Sequence, residues 1–397
     1  MEKILVIAEI FPFPYNTGGK LRTANIIMQL SKYYEVHFIC HSLERIDKKY
    51  INEAKKYCEK VNVIFEEKPS KIRKMINLFS KTCNAEYIVK SVQTEKIVKT
   101  YLEENIYKFV LVERLYAYQY IRKYMNYCNA VYVDMHDIER EAMSYFSKIS
   151  KNKLQKVHYK IETKKVIRLE NEVVKRCTKF INVSYRDSQI YSQIFAQYNK
   201  DKFIYLNNGI DINKAVSCPK TQREDRTIIF VGALGHPPNL HGIKWFVQTM
   251  WPKIFKNYPD AKLKIIGSGT ISEHDKKLFD NIEGIEFLGY VEDLNSILRK
   301  ATCLIVPLFS GSGTRLKILE AFAFEIPVIS TTVGAEGLNC ENGKELLIAD
   351  SESEMYNDVV KIFDDKELVN YMVTNGFKMV QEEYNWENII KRFLKVI

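Results

Sequence analysis

Residues 309–330 read FSGSGTRLKILEAFAFEIPVIS. The apolar, β-branched run TCLIVP (302–307) leads into them, and they close on a second such run, PVIS (327–330). Between the runs lie a glycine-rich loop and a helical pattern, so the stretch reads as a strand–loop–helix–strand unit of a parallel sheet. Gly311 and Gly313 let the backbone approach a ligand closely. A helix beginning near Thr314 would point its free N–H groups back at the loop, which makes a cradle for phosphate, with Ser312 inside it and Arg315 and Lys317 adding positive charge. Glu320 interrupts an otherwise apolar helix, and a buried carboxylate without a partner is costly. It lies seven residues beyond Gly313, about 10 Å along a helix at roughly 1.5 Å per residue, comparable to the span from a diphosphate to its ribose. Two ribose hydroxyls could donate to it. The competing reading is a tight turn, with Glu320 paired to an internal cation.

The same alternation runs through the whole chain. Strand-like runs in the first half are KILVIA, EVHFIC, VNVIF, FVLVE, AVYVD and FINVS; in the second they are TIIFVG, KLKIIG, IEFLG, TCLIVP and PVIST. Amphipathic stretches separate them, among them the long basic segment KNKLQKVHYKIETKKVIRLENEVVKRC. Such alternation favours parallel sheets covered on both faces. The two series part near Asn207, which predicts an α/β chain of two doubly wound, Rossmann-like domains, 1–206 and 207–382. Ligands of such sheets sit beyond the carboxyl ends of strands. Five segments occupy that position: PFPYNTGGKLR, DMHDIE, GALGHPPN, GYVEDL and SGSGTRLK.

The totals bound the function class. The 397 residues are 46% hydrophobic and 27% charged, an ordinary globular composition. No apolar run approaches the roughly 18 residues of a membrane span, and the N-terminal ILVIA is too short for a signal-peptide core, so it reads as a strand. Eight cysteines stand without a CxxC pair, which predicts reduced thiols and a cytosolic protein. The net charge of +10 is unevenly spread: residues 1–210 hold 37 Lys+Arg against 23 Asp+Glu, net +14, and residues 211–397 hold 22 against 26, net −4. A basic first half suits an anionic membrane surface or an acidic substrate, with a merely lysine-rich composition as the plain alternative. No helix-turn-helix, zinc-finger or aromatic-basic RNA signature accompanies the charge, so no nucleic-acid partner is expected.

The remaining loops admit two readings each. PFPYNTGGKLR matches a Walker loop only superficially, since Pro14 takes the first glycine position and Leu21 replaces Ser/Thr. Gly18 and Gly19 there open a helix, either as a ligand-facing loop or as a flexible strand-to-helix turn. In DMHDIE, His136 is a site group or a capping group. Asp134 and Asp137 are candidate partners for its ring, and Asp137 alternatively caps a helix starting near Ile138. Neither GSGT nor IIGSGT completes GxGxxG, which argues against a dinucleotide site. No D-x-D triplet occurs.

Taken in order and spacing, these motifs resemble the retaining glycosyltransferases of family 4, enzymes of the GT-B fold. GSGTRLKILEAFA…PVISTTVGAEGL resembles the family's donor-site segment, YLNNGID its interdomain entry, and FVGALGHPPNLHGIKWF the first strand and helix of its donor domain, with Gly232 and Asn239. LGYVEDL, with Tyr290, resembles its base-contacting loop, DMHDIE its HNxE segment, and YNWENIIKRF a tail helix, at about 383–397, that returns to the first domain. The resemblance implies two domains facing a central cleft. It implies an acceptor bound by the first domain and a nucleotide-sugar donor held by Gly18, Gly19, Gly232, Asn239, Tyr290, Gly311, Ser312, Gly313, Thr314, Glu320, Thr332 and Glu336. His136, Arg315 and Lys317 would carry the catalysis, with His136 contacting a sugar hydroxyl. Two positions depart from the pattern: Ser312 replaces the first glutamate of the E-x7-E pair, and GHPPNLHGIK lacks the usual arginine. Arg315 and Lys317, with Lys244 as a further candidate, would neutralise the diphosphate, so no metal or other cofactor is expected.

The expected activity is transfer of a sugar, with retention, to a glycan or lipid-linked saccharide in surface polysaccharide synthesis, in the cytoplasm or at the inner membrane face. The alternatives are a non-catalytic GT-B partner subunit, and a sugar-nucleotide epimerase or hydrolase.

Overall fold

The computed structural model describes residues 1–15, 17–70, 77, 80–150, 152–219, 222–269, 271–280, 282–310 and 315–397. The chain divides into two units, Met1–Asn207 together with Ile390–Ile397, and Asn208–Ile389. Each is built on a parallel sheet.

In the first unit the strands are β1 (Lys3–Ala8), β2 (Glu35–Ser42), β3 (Lys60–Phe65), β4 (Val110–Glu113), β5 (Val131–Asp134), β6 (Lys179–Asn182) and β7 (Phe203–Tyr205), ordered β3-β2-β1-β4-β5-β6-β7. In the second they are β8 (Thr227–Val231), β9 (Lys262–Ile266), β10 (Ile285–Gly289), β11 (Cys303–Val306), β12 (Val328–Ser330) and β13 (Leu347–Ile348), ordered β10-β9-β8-β11-β12-β13. The central strands are apolar without alternation because helices cover both faces: Ile4, Leu5, Val6 and Ile7 are all fully buried, as are Leu304, Ile305 and Val306. Among the described residues, the sequence patterns located eleven of the thirteen strands; β7 and β13 are short edge strands that no pattern marks.

Strand order reverses once in each sheet, between β1 and β4 and between β8 and β11. At such a switch point neighbouring connections leave in opposite directions and open a crevice beyond the carboxyl ends. The register sets what lines it. Ala8 pairs with Glu113, and Glu113 with Asp134, so the ends of β1, β4 and β5 are level and two carboxylates stand side by side.

The helices that matter for function are α1 (Gly18–Leu30), α2 (Glu139–Ile149), α3 (Lys153–Arg176), α4 (Pro237–Trp245), α5 (Leu316–Ala323), α6 (Lys366–Glu383) and α7 (Trp386–Leu394). The basic segment after residue 150 forms α3, which pairs with α2 as an αα-hairpin. Asp137 does not cap α2: the N-cap is Ile138, whose side chain cannot accept a hydrogen bond. In α7, the tail helix, Phe393 meets Tyr132 of the first unit edge-on, with ring centroids 6.3 Å apart. All eight cysteines are free thiols, and among the described residues no helix is long and apolar enough to cross a membrane.

α5 resolves the position of the glutamate in the apolar run. Its buried residues are Ile318, Leu319, Ala321, Phe322 and Ala323, while Leu316, Lys317 and Glu320 form a half-buried stripe at i, i+1 and i+4. Glu320 is therefore outside the core and one turn from Lys317. The buried face is fixed by Phe322, which lodges over Gly376 of α6; a Cβ there would stand 2.8 Å from the phenyl ring, so only glycine admits this approach. Replacing Phe322 with Ala should lower unfolding stability by about 3–5 kcal/mol, read by denaturant titration. A loss below about 1 kcal/mol would mean that α5 is held by something other than this contact.

Candidate functional site

Two groups of polar side chains occupy the two switch points. In the first unit, Arg22 of α1 is buried to 1% exposure and forks onto Asp134, with Nε and Nη2 each 2.6 Å from a carboxylate oxygen. Its Nη1 donates to the Leu206 carbonyl at 2.7 Å. Asp134 and Glu113 in turn share His136: Nε2 is 3.3 Å from Asp134 Oδ2 and 3.2 Å from Glu113 Oε2. Thr23 Oγ1 donates to the same Glu113 oxygen at 2.8 Å. Burial opposes charging of His136, but the hydrogen bonds to Asp134 and Glu113 outweigh it and hold the imidazole pKa above its ordinary value. For Asp134, burial is likewise overcome by Arg22 and His136, which keep the carboxyl below the usual range.

This group opens on a cavity of about 180 Å³ lined by Glu9, Thr17, Gly19, Lys20, Thr23, Glu113, Arg114 and His136 among others. Three buried atoms there have no hydrogen-bond partner: His136 Nδ1, Glu113 Oε1 and Glu9 Oε2. Gly19 brings the loop against the imidazole, since a Cβ would stand 3.3 Å from Nδ1. Gly18 opens α1 beside it. Burial pushes Glu9 up to about 7, against the lowering influence of Arg114, whose Nε is 3.7 Å away. Glu9 is thus part neutral near pH 7 and able to donate as well as accept.

Glu113, Asp134 and His136 are close enough together to hold a cation. The donor set does not fit one: both Asp134 oxygens are taken by the guanidinium of Arg22, and a cation there would sit beside that charge.

In the second unit, Gly311, Ser312, Gly313 and Thr314 lie outside the described residues. Beyond them, on α5, Lys317 Nζ is 3.1 Å from Asn239 Oδ1 and 5.2 Å from the Phe230 ring centroid. Asn239 is anchored in turn, its Nδ2 donating to the Ala233 carbonyl at 3.0 Å. Gly232, at the end of β8, makes room for the pair: a Cβ would fall 2.8 Å from Lys317 Nζ and 2.9 Å from Asn239 Cγ. Burial, and then the charge of Arg315, lower the Lys317 pKa to about 8 against a counteracting pull from Glu320. Arg315 is itself lowered by burial, with Glu336 opposing, and its Nη2 is 3.4 Å from the Val333 carbonyl. His236 completes the group. Burial, Arg315 and Lys317 all lower its pKa, so it is neutral at pH 7.

Of the other expected residues, Thr332 gives its amide (2.7 Å) and hydroxyl (2.6 Å) to Asp350. Tyr290, just after β10, is 76% exposed. Lys244 is engaged by Asp275 at 2.5 Å. Sequence reading did not single out Arg22, Thr23, Glu9, Glu113, Arg114 or His236. A signal existed for Glu113, which ends FVLVE as Asp134 ends VYVD, and for His236, inside a loop already marked.

Residues 225–365 match the family described as glycosyl transferases group 1. An uncharacterized 44.6 kDa protein in the cps region of Klebsiella pneumoniae is 26% identical, with both chains covered in full. The O-antigen biosynthesis glycosyltransferase WbnH of Escherichia coli is 30% identical over 187 residues, 46% of this chain and 50% of that protein. Among solved structures, Anabaena HepE in complex with UDP and glucose superposes with a TM-score of 0.66 at 13% identity, over 100% of this chain and 99% of that one, a likeness of fold.

Lys317 yields a test of its own. Because its folded pKa lies below the usual lysine value, charging it in the folded state costs on the order of 3 kcal/mol. That cost is full below about pH 8 and shrinks as pH rises from about 8 toward 10, where the unfolded chain also loses the proton. Lys317→Met should therefore stabilise the ligand-free protein at pH 7 by about 1–3 kcal/mol, with the gain fading by about pH 10. Unfolding curves at both pH values check this; a destabilised variant at pH 7 would contradict it.

The architecture is the GT-B fold, and residues 225–365 carry the similarity to glycosyl transferases group 1.

Proposed function

We propose that the protein is a retaining, family 4 glycosyltransferase that moves a sugar from a nucleoside-diphosphate donor to a glycan or lipid-linked saccharide in surface polysaccharide synthesis. One observation carries the donor assignment: Lys317, half-buried and charged, has an amide oxygen and no carboxylate as its hydrogen-bond partner among the described residues. A cation so placed at the carboxyl end of β8 gains most from an incoming anion. A diphosphate suits it, and the presence of UDP and glucose in HepE supports that donor class. The O-antigen relative supports the polysaccharide acceptor.

As the sugar–phosphate bond stretches, negative charge grows on the leaving oxygen. Lys317 and Arg315 oppose that charge more strongly in the transition state than in the ground state, where it is spread over the diphosphate. They take the role a metal ion would otherwise fill. Glu320, one turn along α5, is assigned to the ribose. In the first unit the protonated His136 turns Nδ1 to the cavity, where it would donate to a sugar hydroxyl, with Glu9 and Glu113 Oε1 accepting from neighbouring ones. The proton released by the acceptor passes to the departing diphosphate, so no side chain is assigned as general base. The net +14 of residues 1–210 favours an acceptor presented at an anionic membrane surface.

The test is turnover of a nucleotide-sugar panel by the purified protein, with the product anomer read by NMR. One donor should be consumed with its configuration kept. Lys317→Met should lower kcat/KM on the order of 100-fold or more. Failure to bind or consume any donor would overturn the proposal. An inverted product would remove retention alone, and loss of activity with a chelator, restored by a divalent cation, would remove the metal-free mechanism.

A further inference from the structure

The tip of the α2–α3 hairpin has no part in either polar group, and its surface is unusual. From Asn152 to Val157 every described side chain is exposed, with Leu154 at 81% and Val157 at 54%. Across the turn, at the end of α2, Tyr145 and Phe146 are also exposed, and Phe146 stacks on Tyr159 with ring centroids 5.5 Å apart. Four large apolar side chains thus stand in water within two helix ends. Deeper along α3 the helix is anchored: Val166, Leu169, Val173 and Val174 are buried. The exposed end is therefore held out on a fixed root and is not a fraying terminus.

Charge accompanies the apolar surface. Between Tyr145 and Lys160 the sequence holds no Asp or Glu, while Lys148, Lys153, Lys156 and Lys160 are all exposed. On α3, Lys153, Lys156, Lys160, Lys164 and Arg168 follow at spacings of three and four, one continuous basic stripe, and Leu154 and Val157 form a second stripe beside it. Aliphatic and aromatic groups flanked by lysines, with no acid among them, match the boundary between headgroups and acyl chains of an anionic bilayer. A second copy of this chain would bring the same lysines against each other, and a nucleic acid would leave the apolar stripe in water.

We infer that the tip of this hairpin is the element that docks the protein on anionic lipid, with Leu154, Val157, Tyr145 and Phe146 entering the interface and the lysines meeting the headgroups. The inference rests on the membrane reading of the acceptor and adds the surface that carries it.

The experiment is co-sedimentation of the full chain with vesicles of phosphatidylcholine, with and without phosphatidylglycerol. Wild type is compared with Leu154→Ser/Val157→Ser and with Lys153→Gln/Lys156→Gln/Lys160→Gln. All five positions are exposed, so both variants should keep the wild-type melting temperature. Wild type should bind only the phosphatidylglycerol vesicles, less as salt rises. The charge variant should bind less by about fivefold per lysine removed, and the apolar variant by about tenfold or more. Variants that bind like wild type would overturn the hairpin assignment while leaving the membrane reading intact. Wild type that ignores the anionic vesicles would remove both. A change in oligomeric state by light scattering, or loss of binding to a mixed-sequence RNA in place of vesicle binding, would reassign the tip and overturn the inference.

Discussion

Arg22 is the constraint on which the first unit's polar group depends. A guanidinium at 1% exposure is tolerable only if its donors are met, and here one fork binds Asp134 and another nitrogen takes the Leu206 carbonyl. That single side chain ties α1, the end of β5 and the chain just beyond β7. Its charge keeps Asp134 ionised, and Asp134 with Glu113 then fixes both the ring position and the protonation of His136. The level ends of β1, β4 and β5 make this possible, because parallel register places Glu113 and Asp134 as neighbours. Removing the guanidinium would leave a buried carboxylate with only the imidazole, and breaking such a buried pair is strongly destabilising.

Much of this was legible in the sequence, for physical reasons that differ by residue. Runs such as KILVIA and TCLIVP announce strands because a strand covered on both faces has no reason to alternate. Two series of such runs implied two doubly wound domains, and the GT-B architecture was implied by the resemblance of the motifs to family 4. β7 and β13 stayed hidden because FIY and LI are too short to carry a pattern; their pairing, to β6 and β12, defines them. Asp134, His136 and Arg22 all lie in segments marked by their place after a strand, yet Arg22 was given no role. Nothing local says that an arginine on α1 turns inward, and only the long-range register with Asp134, 112 residues away, gives it a partner. Glu320 was placed in the core because its neighbours are apolar; an eight-residue helix buries one face, and Glu320 shares the other with Lys317. The cost of burying Lys317, and the neutral state of His236 beside it, depend on atoms packed around them and are invisible to spacing.

The two switch points hold charge in opposite ways, and the contrast bears on what each can bind. In the first unit most charges around the crevice face their complements: Arg22 meets Asp134, His136 meets Glu113, and Arg114 approaches Glu9, while Lys20 also lines the cavity. What is left over is hydrogen-bonding capacity: one ring nitrogen and two carboxyl oxygens. Such a surface can read hydroxyls. In the second unit, burial and the charge of Arg315 lower the readiness of Lys317 to carry a proton, and burial with both cations keeps His236 neutral. Here the folded state holds unfavourable electrostatic energy that a dianion would relieve, whereas a neutral sugar would not. Under the proposed function, that electrostatic cost would be offset by a bound phosphate, most where the leaving group gathers its charge. On that same proposal, a crevice suited to hydroxyls in one unit and one suited to an anion in the other would serve different parts of a nucleotide-sugar reaction.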